Sequence, residues 1–239
     1  MMIIDRSFTD ELLRRRAKGG QTAALDRIVQ SGTTLAGNGR GIPLIGHVSV
    51  RYARFLWTIV SMFQPQRVLE IGMANGISSA YIATAQRGYL EREGAHVIID
   101  PFQSGQWQNA GRALLRRLGI DQNVRVIEDF SLCAMPQLEK QGERFAFVFI
   151  DGNHCMDYVL ADVVAADRLL EVGGLVVLDD STGFGVRMAI SYLDRYRTNL
   201  RRIRFDNTLV HFFRETVGKR RRMSVYQKVC ADERGADGI

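Results

Sequence analysis

Two segments carry the densest chemistry of the chain. Phe147-Val-Phe-Ile-Asp-Gly-Asn-His154 and Leu175-Val-Val-Leu-Asp-Asp-Ser181 each read as a buried strand that ends on acid. Placed side by side in a sheet, they bring Asp151, Asp179 and Asp180 into one crevice. Three carboxylates held together cannot all stay ionised without compensation, and a hard divalent cation with oxygen ligands, Mg2+ best of all, supplies it. The same acidity marks the other expected strand ends: Glu70, Asp100 and Glu128-Asp129. Polar groups also stand at strand ends because loops begin there, but acid at every end points to a ligand-binding edge.

A second constellation is Arg67-Val-Leu-Glu-Ile-Gly-Met-Ala-Asn-Gly-Ile-Ser-Ser79. Val68, Leu69 and Ile71 make a short apolar run, Gly72 and Gly76 permit unusual φ or close approach, and helical spacing resumes at Ile77. This is a strand, a turn and a helix in the order that nucleotide cofactors use. A dinucleotide fingerprint needs glycine at 72, 74 and 77, and Ala74 and Ile77 stand there instead, so a pyrophosphate is poorly matched. Asp100 closes Val97-Ile-Ile-Asp100, where a carboxylate suits a ribose diol; capping before Pro101 is the competing role.

These residues need a scaffold of alternating strands and helices. Apolar runs predict strands at Val68–Ile71, His96–Ile99, Val124–Ile127, Phe145–Ile150 and 175–178, with helices over 77–86, 107–118, 156–170 and 186–196. The pattern is α/β: a Rossmann-like, doubly wound, mostly parallel sheet. A C-terminal antiparallel pair is expected from 200–205 and 208–214 around Asp206-Asn207. Residues 8–29 read as helical decoration, 50–63 as a helix beside the sheet, and the glycine-rich stretch 31–46 as an irregular, mobile loop or lid. His47 and Ser49 follow it, suited either to a cofactor carboxylate or to a solvated loop.

At 239 residues, with 46% hydrophobic and 24% charged content, the chain matches one decorated soluble domain. No apolar run is long enough to span a bilayer and no secretory signal is visible, so the expected location is the cytoplasm, without a membrane partner. Cys133, Cys155 and Cys230 are too few and too scattered for a disulfide framework or a zinc site. The net charge of +6 gathers in Arg14 to Arg16, Arg116-Arg117, Arg201-Arg202 and Lys219 to Arg222. Solvated faces explain these clusters better than nucleic acid does, since few aromatics stand among them.

With an acid two places before the first glycine of a Gly-x-x-x-Gly turn, the chain resembles class I S-adenosylmethionine-dependent methyltransferases. With Asp151, Asp179 and Asp180, it resembles their metal-dependent O-methyltransferases of the catechol and antibiotic-sugar types. The resemblance covers roughly residues 66–182. The expected domain bounds are 1–46 for a helical and lid segment and 47–239 for the methyltransferase domain. It also implies S-adenosylmethionine contacts at Glu70, Gly72, Ala74, Gly76, Ser78, Asp100, Asp129, Ser131 and Asp151, with Asp129 and Ser131 near adenine, where turn chemistry is the rival role. Asp151, Asp179 and Asp180 are implied as metal ligands. The acceptor is expected to be a small-molecule hydroxyl, and a homo-oligomer is allowed.

The catalytic base is where the chain departs from these families. Sugar enzymes of this type carry Asp-Gly-Asp after the fourth strand, but Asn153 stands in place of the second acid and takes no proton at neutral pH. Catechol enzymes carry lysine three residues after the metal-binding Asp, and here that position is His154. With Asp151, His154 is the catalytic candidate as proton acceptor; orienting Asp179 or Asp180, or capping the next helix, is its alternative role. Rival readings are an RNA-associated methyltransferase, a non-catalytic cofactor-binding protein and, less well matched, a nicotinamide-dependent dehydrogenase.

Overall fold

The computed structural model describes residues 22–90, 93–203 and 223–233. The chain enters through helix α1 (Ala23–Ser31), a hairpin of β1 (Thr33–Leu35) and β2 (Gly41–Pro43), and helix α2 (Val50–Phe63). Strand and helix then alternate through β3 (Val68–Ile71), α3 (Ile77–Arg87), β4 (His96–Ile99), α4 (Ala110–Arg117), β5 (Val124–Ile127), α5 (Ser131–Lys140), β6 (Phe145–Ile150) and α6 (Met156–Leu169). β7 (Leu170–Leu178), α7 (Phe184–Tyr196), β8 (Leu200–Arg202) and β9 (Ser224–Lys228) complete the order.

The large sheet runs β5-β4-β3-β6-β7-β9-β8. β3 to β7 are parallel, and β9 lies antiparallel between β7 and β8. Strand alternation divides the core into two layers. Val68, Phe147, Phe149, Leu175 and Val177 pack toward α2, α3 and α4. Leu69, Ile71, Val97, Ile99, Val148, Ile150 and Val176 pack toward α5, α6 and α7. The chain winds outward from β3 through β4 to β5, then crosses back to β6, so a crevice opens above the carboxyl ends of β3, β4 and β6.

The core strands fall where the apolar runs put them, and the departures have physical causes. Residues 33–43, expected as an irregular loop, form a hairpin in which Thr33 faces Pro43 and Leu35 faces Gly41. It is held from outside itself: the Gly37 amide donates to the Gln108 carbonyl at 2.7 Å, and Arg40 reaches the Gln108 side chain at 3.0 Å. Leu25 and Leu44 join the same apolar cluster as Leu56 and Ile82, so residues on both sides of position 46 share one core. α4 starts at Ala110 rather than at 107, because Gln108 and Asn109 take left-handed φ of 50° and 56°. α5 was not expected at all; Pro136 inside it masks the helical pattern. β7 begins at Leu170, directly after α6, and pairs Leu170 with Phe145.

β8 pairs antiparallel with β9 at Ser224–Lys228; the segment 208–214, expected to pair with it, lies outside the described residues together with 8–21 and the basic clusters at 14–16 and 219–222. β9 is anchored by Lys228, whose buried ammonium donates to the carbonyls of Asp167 and Leu170 at 2.6 and 3.0 Å. Arg197 and Asn199 converge on the Asp167 carboxylate beside it. Among the described residues, no helix is long and apolar enough to cross a membrane.

Candidate active site

The crevice is a cavity of about 750 Å³ whose wall includes Gly72, Ala74, Ser78, Asp100, Ser131, Asp151, His154, Asp179 and Asp180. That volume suits a drug-sized ligand. Of the residues singled out by sequence, Gly76, Glu70, Asp129 and Ser49 are not on its wall.

The turn after β3 is built by neighbours on both sides. Gly72 has φ +89°, and a Cβ there would overlap the Asp151 carbonyl, so glycine lets the ends of β3 and β6 lie against each other. Gly76, at φ +82°, opens α3; its Cβ would lie 2.7 Å from the Cα of Gly111 in α4. The glycine pattern therefore serves backbone packing as well as ligand access. From β4, Asp100 Oδ2 accepts the amides of Met73 and Ala74 at 2.9 and 2.8 Å, and Oδ1 accepts that of Phe102 at 2.8 Å. Asp100 thus holds the turn itself, whatever it also offers a ribose. Gln103 secures the Ala74 carbonyl at 2.9 Å, and Asn75 Oδ1 accepts the Ile45 amide at 3.1 Å, tying the exit of β2 to the turn.

Glu70 is placed differently from the sequence expectation. Its carboxylate is fully buried beneath the turn, where Ser78 donates to Oε1 at 2.5 Å and His96 Nε2 lies 2.9 Å from Oε2. These partners hold α3 and β4 to β3. Asp129 is likewise turned away, accepting the amide of Phe130 at 2.7 Å. Ser131 and His47 face the cavity, and His47 Nδ1 lies 2.9 Å from the Val48 carbonyl.

At the other corner, His154 stands between two carboxylates. Nε2 is 3.3 Å from Asp151 Oδ1, and Nδ1 is 3.2 Å from Asp180 Oδ2. Ligand atoms of Asp151, His154 and Asp180 lie within 4.8 Å of one another. Asp179 shares the cavity but not that group, so the cation-sized cluster pairs Asp151 and Asp180 with His154 rather than with Asp179. Burial pushes the Asp151 carboxyl up, and hydrogen bonding to Asp151 raises His154. A carboxylate at each ring nitrogen favours the protonated form of His154. The carboxylates of Asp151 and Asp180, with Asp179 beside them, fit a hard divalent ion, for which an imidazole is the less suited ligand.

Phe102, Trp107, Phe130, Tyr158 and Asp162 also line the cavity. Sequence reasoning passed over them, although Asp162 had a readable signal: it interrupts the buried face of α6 set by Val159, Val163 and Ala166.

The strand order, the glycine turn after β3 and the acidic crevice define a Rossmann-like methyltransferase fold. Residues 69–181, the centre of the chain from β3 to β7, match the family model described as a methyltransferase domain. Two curated relatives are similar over this part. A rhamnosyl O-methyltransferase of Mycobacterium bovis is 29% identical over 130 residues, 52% of this chain and 49% of its own. A catechol O-methyltransferase of Mycobacterium tuberculosis is 31% identical over 133 residues, 56% of each. The chain spans about half the length of the curated relatives it matches. Among solved structures, an O-methyltransferase of tomaymycin synthesis from Streptomyces achromogenes, in complex with S-adenosylmethionine, has a TM-score of 0.60 at 23% identity, covering 77% of this chain and 82% of that one. An O-methyltransferase from Bacillus cereus in complex with S-adenosylhomocysteine has a TM-score of 0.60 at 18% identity, covering 95% and 94%. These two likenesses establish the fold.

Proposed function

We propose that the protein is an S-adenosylmethionine-dependent O-methyltransferase that acts on a hydroxyl of a small molecule with the help of a divalent cation, Mg2+ best suited. The observation that carries this reading is the union, in one cavity, of the Gly72 to Ala74 turn and Asp100 with the group of Asp151, His154 and Asp180. The turn and Asp100 hold the cofactor, with Ser78 and Ser131 on the same wall. Asp151 and Asp180 hold the cation, and Asp179 supports them. A bound divalent ion supplies Lewis acidity, lowering the pKa of a hydroxyl it contacts.

Methyl transfer is an in-line displacement at the sulfonium methyl, so orientation of the two reactants does much of the work. His154 is the proton acceptor nearest the cation corner. Asp151 and Asp180 favour its protonated form, and its basicity would fall towards the ordinary imidazole range if those carboxylates held a cation instead. The relatives' names favour a sugar diol or a catechol as acceptor class. The test is transfer of a labelled methyl group from S-adenosylmethionine to a panel of vicinal diols and catechols, before and after exhaustive chelation. Transfer that chelation stops and added Mg2+ restores is expected. Failure to bind S-adenosylhomocysteine at millimolar concentration sinks the cofactor reading, and full activity after verified chelation sinks the cation.

A further inference from the structure

Helix α7 carries more apolar surface than it buries. Val186, Ala189, Ile190 and Leu193 face the core. Outside that face, Phe184, Met188, Tyr192 and Tyr196 recur every four residues, which makes them one stripe about 18 Å long. Phe184 is 72% and Tyr196 53% exposed; Met188 is exposed too, and Tyr192 is half-buried. The rings have neighbours that fix them: Tyr192 and Tyr196 lie 5.3 Å apart, and the guanidiniums of Arg187 and Arg195 stand 6.0 and 5.6 Å from the ring centres of Phe184 and Tyr196. A contiguous apolar stripe on a globular domain marks a binding surface.

The stripe starts at the cation corner. Gly185 packs on the backbone of His154, Cys155 and Met156, so the first turn of α7 abuts that of α6. Met156 is exposed there, and Tyr158, two residues on, is part of the cavity wall. Apolar side chains therefore lead from the wall beside Asp151, His154 and Asp180 out along α7.

Length and charge select the occupant. A run of about 18 Å outside the cavity exceeds the reach of a bare catechol or monosaccharide and fits an extended chain, and the pliable Met156 and Met188 adapt to such a chain. A second copy of the protein fits less well. The one acid of α7, Asp194, is engaged by Tyr226 and Arg202, while Arg187 and Arg195 flank the stripe, so a two-fold contact would set like charges against each other.

We propose that the acceptor is an amphiphile: its hydroxyl-bearing head enters the cavity, and a long apolar substituent lies outside along Phe184, Met188, Tyr192 and Tyr196, passing Met156 and Tyr158 on the way. This rests on the O-methyltransferase reading above and names its acceptor class.

The test is calorimetric titration of the full chain, loaded with S-adenosylhomocysteine and Mg2+, with the methyl and octyl members of two series, 4-alkylcatechols and alkyl rhamnosides, all below their aggregation concentrations. A fully buried methylene is worth about fourfold in affinity and on a half-open ridge about twofold, so in the series that binds, the octyl member is expected to bind at least about tenfold more tightly. Phe184→Ser and Met188→Ser, both at exposed positions, are each expected to cut that ratio at least about threefold. Val172→Ser, at a position 61% exposed near the other end of β7, leaves it unchanged. A ratio near one in both series, or no binding of either octyl ligand, overturns the inference, as does a ratio that Phe184→Ser and Met188→Ser leave intact. Adsorption to phosphatidylcholine vesicles or dimerisation that Phe184→Ser abolishes, without any octyl preference, overturns it in favour of a lipid surface or a second copy. Wild type that binds no S-adenosylhomocysteine refutes the methyltransferase reading and this inference with it, whereas wild type that binds it and shows no octyl preference refutes this inference alone.

Discussion

Replacing Gly185 by alanine sets two effects of known size against each other. Gly185 is the second residue of α7. In a helix interior the change gains about 1 kcal/mol of intrinsic propensity, and less this close to the end. The tertiary structure opposes it. A Cβ at 185 would overlap the His154 carbonyl oxygen and lie 2.7 Å from the Met156 amide nitrogen and 3.0 Å from the Cys155 carbonyl carbon. All three are backbone atoms that cannot rotate aside. Overpacking of this kind costs about 1–3 kcal/mol, so sterics outweigh propensity and the net loss is about 1–2 kcal/mol. For a chain of this size that lowers Tm by about 3–6 °C. The displaced backbone carries His154 between Asp151 and Asp180, so cation affinity and methyl transfer fall further than cofactor affinity does. Thermal unfolding with separate cation and S-adenosylhomocysteine titrations measures all three. An equal or higher Tm with unchanged cation affinity refutes the argument, because the segment would then have slack that the packing denies it.

Asp100→Ala removes the acceptor for three amides, Met73, Ala74 and Phe102, and is expected to cost about 3 kcal/mol or more, besides abolishing cofactor binding. An unchanged Tm with binding lost would make the ribose contact its main role. Glu70→Ala leaves the buried Ser78 hydroxyl without its acceptor and His96 without its neighbour, at an expected cost of about 1–3 kcal/mol in denaturant unfolding; a variant as stable as wild type that fails to bind cofactor would return Glu70 to the binding surface. His154 is raised by Asp151, so the pairing stabilises the cation-free fold fully below about pH 6.5 and is lost as pH climbs through the higher folded value. An NMR titration should place the His154 midpoint above 6.5, moving down in Asp151→Asn; a midpoint at or below 6.5 in wild type contradicts the pairing. Asp180→Ala should weaken Mg2+ binding more than Asp179→Ala, since Asp180 is in the close group and Asp179 is not, and the reverse order in a calorimetric titration would restore Asp179 as the principal ligand.

The reach of the sequence follows from the range of the forces involved. Stretches such as Phe145–Ile150 and 175–178 are continuous apolar runs, and a segment buried on both faces has few other states open to it, so composition alone assigns them. The acids at their ends could be read for the same reason: the strand stops where water returns, and Asp100, Asp151 and Asp179 are the first polar groups past that point. Which way each carboxylate turns is a matter of neighbours far off in the chain. Glu70 finds Ser78 and His96 and lies under the turn; Asp100 is claimed by the amides of Met73 and Ala74; Asp180 meets His154, while Asp179, one residue away, stays outside that close group. The hairpin at 33–43 has the same origin, since its glycines disfavour regular structure locally and only contacts such as that of Gly37 with Gln108 make the ordered form worthwhile. Local sequence sets what a residue can do, and distant packing, which no short window contains, sets which partner it meets.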